Sequence, residues 1–319
     1  MARRIVTVFG GSGFVGRHLV KRLVKRGYTV RVAVRDVESA HYLLPMGDAG
    51  QVVPWPCDIC APGDPARALE GAVGAVNLVG ILYERGERTF DAVHVGAATR
   101  IAEAVAAAGI KRFVHMSALG ADAESDSDYA RTKGEAETAV LAAMPDAVIV
   151  RPSVIFGPED DFFNKFASIG EISPVLPIIG AATPIDDGPR FQPVYVGDVA
   201  EAIAVALESP NAAGQTFELG GPYVYCFREI IELIPEITHR KRILMAVPYV
   251  LADILAAVLG LLPKPPLTLD QVRLLRRDNV CSGTCPGLAE LGIEAQTVEA
   301  IVPTYLNRFR DGGRLKRFA

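Results

Sequence analysis

The feature that most constrains this sequence is a glycine-rich turn directly after an apolar, β-branched run. The run occupies residues 5–9, and the turn comprises Gly10, Gly11, Ser12, Gly13, Phe14, Val15 and Gly16. Glycines let the backbone turn tightly, and the helix predicted over 18–26 would direct free amide groups and the positive end of its dipole toward an anion. A strand, a glycine turn and a helix in this order favour a site for a dinucleotide pyrophosphate over an ordinary tight turn.

The residue after the second predicted strand selects between two dinucleotides. This strand covers 29–34 and is followed by Arg35, at the position where a carboxylate commonly binds the ribose 2′-hydroxyl of NAD. A guanidinium suits a 2′-phosphate instead, and each charge-assisted hydrogen bond contributes about 1.5–3 kcal/mol. The sequence therefore favours NADP(H). Asp36 would reverse the choice if it took this position, and a solvated cation at the strand end is the alternative role for Arg35.

Length and the order of elements predict an α/β protein with two parts. The chain has 319 residues, and a single hydrophobic core rarely supports a chain of this length. Predicted strands at 75–79 and 112–117 flank a predicted helix at 90–108, which indicates a doubly wound parallel sheet of Rossmann type with a smaller C-terminal α/β lobe. We expect residues 1–160 and 191–222 to form the nucleotide-binding domain. Residues 161–190 and 223–319 would form the second lobe.

Charge, cysteine usage and the N-terminal residues exclude several classes of protein. The net charge is −4 and no polybasic block resembles a groove reader, so no nucleic acid is expected as a partner. Five cysteines fit a reducing compartment, and the spacings of Cys57 with Cys60 and of Cys281 with Cys285 do not match as a zinc site, so no metal is expected. The first strand begins at Ile5, and we therefore expect neither a signal peptide nor a transit sequence.

A tyrosine and a lysine on one predicted helix provide the groups for the other end of a dinucleotide. Tyr129 and Lys133 are four residues apart and follow a strand that ends at Ser117. On one helix face, we expect the Lys133 ammonium to lower the pKa of the Tyr129 phenol and to bind a ribose hydroxyl. Such a pair is common on surface helices, so its assignment depends on the glycine turn upstream. Val79 and Gly80, at the end of the strand predicted over 75–79, are further expected cofactor contacts.

The order of these motifs resembles an extended or atypical short-chain dehydrogenase/reductase over nearly the whole chain. The matching motifs are the glycine turn, Asp58, Ser117, Tyr129 with Lys133, and the stretches 151–158 and 193–200. More narrowly, 156–164 and 191–196 are similar to the nucleotide-binding accessory subunit of respiratory complex I and its bacterial relatives. The resemblance implies that Asp58 and Ile59 contact the adenine, although Asp58 also fits a helix cap. It further implies that the backbone around Pro152, Ser153, Val154 and Ile155 reaches the nicotinamide amide.

One departure from the superfamily pattern argues against catalysis. Working enzymes of the extended group carry a Ser or Thr two residues beyond the strand-end serine, where this chain has Leu119. Loss of such a hydrogen-bond donor typically reduces rates by factors of about 10² to 10³. The resemblance therefore implies a tightly bound NADPH or NADP⁺ in a non-catalytic accessory subunit, with Ser117, Tyr129 and Lys133 vestigial or holding the cofactor. The alternative is an active NADP(H)-dependent reductase or epimerase, with Tyr129 as acid/base, a substrate near 161–164 and Ser117 replacing the missing hydroxyl.

The C-terminal half offers surfaces for partners. An apolar helix predicted over 249–262 follows the basic run 239–242 and is too short to cross about 30 Å of hydrocarbon. Burial within the lobe is one interpretation, and docking on a membrane-facing partner or shallow insertion at the lipid interface is the other. The basic tail 307–319 is either disordered or ordered by anionic lipid or an acidic subunit surface. The resemblance implies other complex I subunits as partners and a peripheral location on the cytoplasmic side of the bacterial inner membrane.

Overall fold

The computed structural model describes residues 4–181, 187–263 and 265–310. The chain forms two compact units. The first consists of Met1–Pro152, Val196–Leu219 and Gly283–Glu294, and the second of Ser153–Tyr195, Gly220–Ser282 and Ala295–Ala319. These boundaries differ from those expected at 160, 191 and 222, and the return of 283–294 to the first unit was not expected.

A parallel sheet of seven strands forms the centre of the first unit. Its strands are β1 (Ile5–Phe9), β2 (Thr29–Val34), β3 (Val52–Pro56), β4 (Ala72–Asn77), β5 (Phe113–Met116), β6 (Val148–Pro152) and β11 (Thr216–Leu219). They lie in the order β11-β6-β5-β4-β1-β2-β3, and every neighbouring pair is parallel. The predicted Rossmann-type sheet is confirmed. The strand order reverses between β1 and β4, and ligands of such sheets bind at the carboxyl ends of the strands beside this reversal.

Helices of the first unit connect these strands. They are α1 (Phe14–Lys25), α2 (Asp64–Leu69), α3 (Ala97–Ala107), α4 (Asp128–Ala143) and α6 (Val196–Glu208), with 3₁₀ turns at Glu38–Met46, Pro210–Ala212 and Ala289–Leu291. Helix α1 begins at Phe14 rather than at the predicted residue 18, because Gly13 already adopts the extended conformation of an N-cap. The predicted helix 90–108 begins as a π-helical turn, Asp91–Gly96, and continues as α3.

The strands at the centre of the sheet are buried on both faces, as parallel sheets require. In β1, Val6 and Val8 on one face and Thr7 and Phe9 on the other are all fully buried. Charged residues instead join the outer helices, where Glu201 of α6 accepts hydrogen bonds from arginines of α1. The apolar runs of the sequence therefore correctly predict strands in the interior of the sheet.

The second unit is built from short strands and helices around an aromatic core. Its strands are β7 (Ile155–Phe156), β8 (Val175–Ile179), β9 (Arg190–Phe191), β10 (Val194–Tyr195), β12 (Tyr225–Cys226) and β13 (Ile243–Val247), and its helices are α5 (Phe163–Ile172), α7 (Phe227–Thr238), α8 (Tyr249–Leu259), α9 (Leu269–Leu274) and α10 (Val298–Leu306), with a 3₁₀ turn at Asn307–Phe309. The strands form three pairs, β7 with β10, β8 with β13 and β9 with β12. Phe156, Phe163 and Phe227 lie at the centre of the core and are almost fully buried.

Helix α8 corrects the interpretation that the apolar segment is buried within the lobe. Only Ala252 and Ala256 of this helix are buried. Large apolar side chains at 250, 254 and 258 face outward, and none of the helices in the described parts of the chain is long and apolar enough to span a membrane. The segment is therefore a surface helix that packs on the core through Ala252, Ala256 and the partly buried Tyr249.

We predict that Gly16→Ala destabilises the first unit. A Cβ atom at Gly16 would lie 2.5 Å from the carbonyl oxygen of Gly11 and 2.6 Å from that of Gly10, so the helix would have to shift, at a cost of about 1–3 kcal/mol. Gly74→Ala is the matched control, because its Cβ would meet its nearest neighbour at 3.4 Å, an ordinary contact. Urea unfolding monitored by circular dichroism measures both changes. Equal stability of the two variants would contradict the prediction.

Candidate cofactor-binding site

The glycine turn leaves the start of α1 open to an anion. Gly10 has a φ of 77°, a conformation that favours glycine, and its carbonyl oxygen accepts a hydrogen bond from the Gly13 amide at 3.0 Å. The N-cap Gly13 has no capping side chain, and the first turn of α1 carries no acidic residue. Because Gly16 has no side chain, the helix packs directly on the carbonyl groups of the turn. The free amides and the helix dipole fit a pyrophosphate at this position.

A cleft of about 560 Å³ lies at the carboxyl ends of β2 and β3. It is lined by Arg35, Trp55, Pro56, Cys57, Asp58, Asp64, Arg67 and Arg88. Arg35 is exposed, which leaves its guanidinium accessible to a ligand in this cleft. The structure thus brings Arg35 and Asp58, two residues predicted at the adenine end, to the same cleft.

Asp58 is positioned by a local turn rather than by a helix. Its carboxylate accepts a hydrogen bond from the Cys60 amide at 3.0 Å and lies 3.6 Å from the guanidinium of Arg88. Its own amide donates to the side chain of Asp64, where α2 begins. The helix-cap role considered for Asp58 is therefore wrong. Ile59 is buried and is not among the residues that line the cleft, and its contact with the adenine remains a prediction.

Lys133 is buried beside the strand end that carries Ser117. Its ammonium donates to the carbonyl oxygen of Met116 at 3.2 Å, and a Cβ on Gly80 would lie only 3.4 Å from the Nζ atom. Burial lowers the pKa of Lys133 to about 8. Gly80 therefore lies next to Lys133, and the contact of each with a cofactor remains a prediction. The Asn77 side-chain oxygen accepts a hydrogen bond from the neighbouring Val79 amide at 3.1 Å.

The expectation that Lys133 lowers the pKa of Tyr129 is wrong. Burial raises the pKa of the Tyr129 phenol to about 12. The Lys133 Nζ lies 6.0 Å from the centroid of the tyrosine ring and donates elsewhere, so desolvation of the phenolate outweighs the attraction of the cation. The two residues share a helix face, as their spacing predicted, but the electrostatic relation between them is different.

His94 is a site residue that the sequence did not indicate. Its ring meets the Tyr129 ring edge-on with centroids 5.3 Å apart. The Nε2 atom accepts from the Ile81 amide at 3.0 Å, so the proton resides on Nδ1, which faces the Thr132 hydroxyl at 3.0 Å. Burial lowers the pKa of His94 to about 3, and the ring is therefore neutral. The π-helical turn that sets its orientation has no simple sequence signature.

The hydroxyl group of Ser117 has no hydrogen-bond partner among the described residues. Its Oγ atom is buried, while its amide donates to Val150 at 2.8 Å. A buried hydroxyl without a partner is rare and fits a contact with a bound ligand. Two residues further on, Leu119 is buried and donates its amide to Pro152 at 3.0 Å, so no hydroxyl stands at that position.

The predicted nicotinamide contacts beyond Pro152 lie in the second unit and have partners there. The Ser153 hydroxyl donates to the side-chain oxygen of Asn279 at 2.7 Å, and the Val154 amide donates to the same oxygen at 3.1 Å. The Val154 carbonyl accepts from Val194, whose strand β10 pairs with Ile155 in β7. Asn279 was not expected from the sequence. The role of 152–155 toward a nicotinamide remains a prediction.

The region proposed for a substrate, 161–164, is occupied by an internal network of the second unit. Asp160 is buried, and its carboxylate accepts hydrogen bonds from the Tyr305 hydroxyl at 2.6 Å and from the Asn164 amide at 3.0 Å. Asn164 in turn accepts from Arg308 at 2.6 Å. Burial raises the pKa of Asp160. These groups fasten the C-terminal helix to the start of α5.

A sheet that reverses its strand order beside a glycine turn, with a tyrosine and a lysine on a neighbouring helix, defines a dinucleotide-binding protein of the short-chain dehydrogenase/reductase class. The family model described as the NAD dependent epimerase/dehydratase family matches residues 6–220. The chain belongs to this family. A UDP-glucose 4-epimerase from Thermotoga maritima has the same fold, with a TM-score of 0.72 at 18% identity over 97% of this chain and 99% of that chain.

Relatives at higher identity narrow the assignment within the family. The chain is 34% identical to the NADH dehydrogenase [ubiquinone] 1 alpha subcomplex subunit 9 of Arabidopsis thaliana, over 97% of this chain and 79% of that protein. It is 32% identical to the NADH-ubiquinone oxidoreductase 40 kDa subunit of Neurospora crassa, over 95% and 79%. It is also 34% identical to a ceramide reductase of Caulobacter vibrioides, over 66% and 62%. The two mitochondrial subunits match nearly the whole chain, whereas the ceramide reductase matches about two thirds of it.

We predict that Lys133→Met stabilises the nucleotide-free protein at pH 7. Burial lowers the folded-state pKa of Lys133 from 10.5 to about 8, so the folded state must hold a desolvated ammonium below pH 8. Removing it is expected to increase the free energy of unfolding by about 1–3 kcal/mol, less the lost hydrogen bond to Met116. As the pH rises from 8 to 10.5 the wild-type lysine loses its proton on folding, and the advantage of the variant should disappear.

Urea unfolding of both proteins at pH 7 and pH 10.5 measures this difference. Lys25→Met, at an exposed position on α1, is the control and is expected to change stability by less than about 0.5 kcal/mol at either pH. A Lys133→Met variant that is less stable than wild type by the same amount at both pH values would show that burial of the ammonium is not unfavourable.

Proposed function

We propose that the protein is an NADP(H)-binding, non-catalytic accessory subunit of respiratory complex I. The observation that carries the proposal is the similarity to alpha subcomplex subunit 9, which extends over 97% of the chain. Its partners would be other complex I subunits, and its place would be the hydrophilic arm near the membrane, on the cytoplasmic side of a bacterial inner membrane. The bound cofactor would support the shape of the first unit and thereby assembly of the complex.

The cofactor in this proposal is NADPH or NADP⁺ rather than NAD(H). Arg35 supports it, because an exposed guanidinium in the cleft favours a 2′-phosphate over a free hydroxyl. The open amides at the start of α1 suit the pyrophosphate. A cofactor that is never consumed still stabilises the fold, by about 2.7 kcal/mol at a free concentration one hundred times its dissociation constant. Tight binding therefore has a use without turnover.

Three features of the first unit support the absence of turnover. Leu119 offers no hydroxyl where a substrate carbonyl would be polarised. A Tyr129 phenol with a pKa of about 12 is a poor proton donor or acceptor near neutral pH. Lys133 donates to the carbonyl oxygen of Met116, and its Nζ atom lies 6.0 Å from the centroid of the Tyr129 ring. Tyr129 and Lys133 would instead hold the nicotinamide ribose.

The second candidate function is an active NADP(H)-dependent reductase or epimerase. Similarity to a ceramide reductase and the uncommitted hydroxyl of Ser117 favour it. In that mechanism Ser117 would polarise the substrate carbonyl and Tyr129 would exchange the proton. The ceramide reductase, however, matches 66% of the chain, against 97% for the Arabidopsis subunit, and we therefore rank this function second.

We further propose that α8 rests on a lipid surface. The α8 stripe, defined as Val250, Ile254 and Val258, lies on one side of the helix, and these side chains are between 58% and 75% exposed. Leu261, just beyond the end of the helix, is 86% exposed. Helix α8 has 11 residues, which suits insertion at an interface and not a full crossing. Anionic lipid would be attracted by basic residues of the same unit.

The basic run 239–242 contributes less to this contact than its composition predicted. Arg240 donates to the Phe309 carbonyl at 2.7 Å, and Arg242 donates to the Gly170 carbonyl at 2.6 Å. Both arginines therefore fasten backbone segments of the second unit. Residues 311–319 of the basic tail, the other expected lipid contact, lie outside the described residues.

We predict that Arg35→Glu impairs assembly of complex I, whereas Tyr129→Phe does not. A carboxylate at position 35 would repel a 2′-phosphate and weaken NADPH binding more than tenfold, which removes the stabilisation that the cofactor supplies. Phenylalanine keeps the shape of the Tyr129 ring and removes only an acid/base group. Native gel electrophoresis of the membranes measures assembly, and extraction of the purified subunit measures its nucleotide content.

Lys21→Glu, an equal charge change at an exposed position on α1, is the control and is expected to leave assembly and nucleotide content intact. A Tyr129→Phe strain with fully assembled complex I and a large loss of respiration would contradict the non-catalytic function. Recovery of the wild-type chain as a free enzyme that oxidises NADPH with a small carbonyl compound would favour the reductase.

We predict that the double change Ile254→Ser with Val258→Ser weakens binding to phosphatidylglycerol-containing vesicles at least tenfold. Each large apolar side chain that leaves water contributes about 1.5–3 kcal/mol, and both side chains belong to the α8 stripe. Vesicle sedimentation of the purified protein measures the effect. Leu44→Ser, at an exposed apolar position of the first unit, should bind as wild type does. Unchanged sedimentation of the double variant would exclude contact between α8 and lipid.

A further inference from the structure

A short hairpin of the first unit carries a second arginine into the cleft that contains Arg35. The backbone amides and carbonyls of Arg85 and Arg88 form two reciprocal hydrogen bonds of 3.1 Å, which fix the hairpin between β4 and the π-helical turn. The Arg88 side chain is 28% exposed and lines the cleft, whereas Arg85 is exposed and does not line it. The two arginines of one hairpin therefore have different surroundings.

The charges around Arg88 leave its guanidinium able to take a further anion. Its nearest carboxylate is that of Asp58, at 3.6 Å, which is an ion pair but too long for a hydrogen bond. Arg67, the third arginine of the cleft, is paired with Asp64 on its own helix. Asp58 thus attracts Arg88 to the cleft without engaging its N–H groups.

We propose that Arg88 is a second determinant of 2′-phosphate recognition and acts together with Arg35; this inference rests on the proposed binding of NADP(H). A phosphate monoester carries a charge of about −1.5 to −2 at neutral pH and offers three acceptor oxygens. A single guanidinium group neither neutralises this charge nor donates to all three oxygens. Arginine donates through a planar fork that matches phosphate geometry. In this arrangement Asp58 holds Arg88 over the cleft, and the phosphate takes the N–H groups that Asp58 leaves unused.

Titration of the full-length, nucleotide-stripped protein with 2′,5′-ADP and with 5′-AMP tests the inference. These two fragments differ only in the 2′-phosphate. Arg88→Met is expected to weaken 2′,5′-ADP binding about ten- to a hundredfold and to leave 5′-AMP binding unchanged. Arg35→Met should have the same selective effect. Arg85→Met, on the same hairpin but outside the cleft, should bind both fragments as wild type does.

The outcomes separate this inference from the cofactor proposal. If the wild-type protein prefers 2′,5′-ADP and Arg88→Met keeps the full preference, Arg88 has no part in recognition, and NADP(H) binding stands. If Arg88→Met weakens both fragments equally, Arg88 supports the adenine or the fold, and the inference is overturned. If the wild-type protein does not distinguish the fragments, the NADP(H) proposal itself fails. Thermal unfolding of Arg88→Met and of Arg88→Gln confirms that any loss belongs to binding.

Discussion

The close contact between the first turn of α1 and the glycine turn determines the rest of the first unit. Gly10 and Gly11 present carbonyl oxygens where a side chain on Gly16 would otherwise lie. This contact fixes the angle at which α1 leaves β1 and leaves the first turn of α1 open at the reversal of strand order, where the proposed pyrophosphate would bind. The cleft that contains Arg35 and the strand end that carries Ser117 lie on the same edge of the sheet, because all its strands are parallel and end there.

The sequence predicted those elements whose boundaries are set locally. Strand β2 occupies residues 29–34 as expected, because Gly27 turns the chain before it and a charged residue follows it. The start of α1 and the π-helical turn Asp91–Gly96 were missed, since apolar spacing does not distinguish an early helix start or a π turn from a regular helix. The return of Gly283–Glu294 to the first unit depends on contacts between residues distant in sequence, and the periodicity of apolar residues does not indicate such contacts.

For the site, the sequence predicted positions better than electrostatics. The four-residue spacing of Tyr129 and Lys133 placed them on one helix, as the structure has them. The predicted direction of the shift in the Tyr129 pKa was wrong, because the sequence does not reveal how far a phenol is desolvated. Burial raises this pKa, although a cation lies 6.0 Å from the ring centroid. His94 escaped notice because its role arises from the π turn and from Thr132, neither of which a lone histidine indicates.

Burial of Lys133 links the cofactor to stability in a way that requires no reaction. A desolvated ammonium with one backbone acceptor, Met116, is unfavourable in the nucleotide-free fold. In the proposed complex, the ribose hydroxyls of the cofactor would supply further acceptors to Lys133 and a partner to Ser117. Binding would then supply the missing hydrogen-bond partners of Lys133 and Ser117 and add the contacts of the pyrophosphate. The free energy of unfolding would therefore depend on the cofactor more strongly than the contact area alone suggests. In the proposed non-catalytic function, Lys133 would therefore stabilise the complex with the cofactor without activating the phenol.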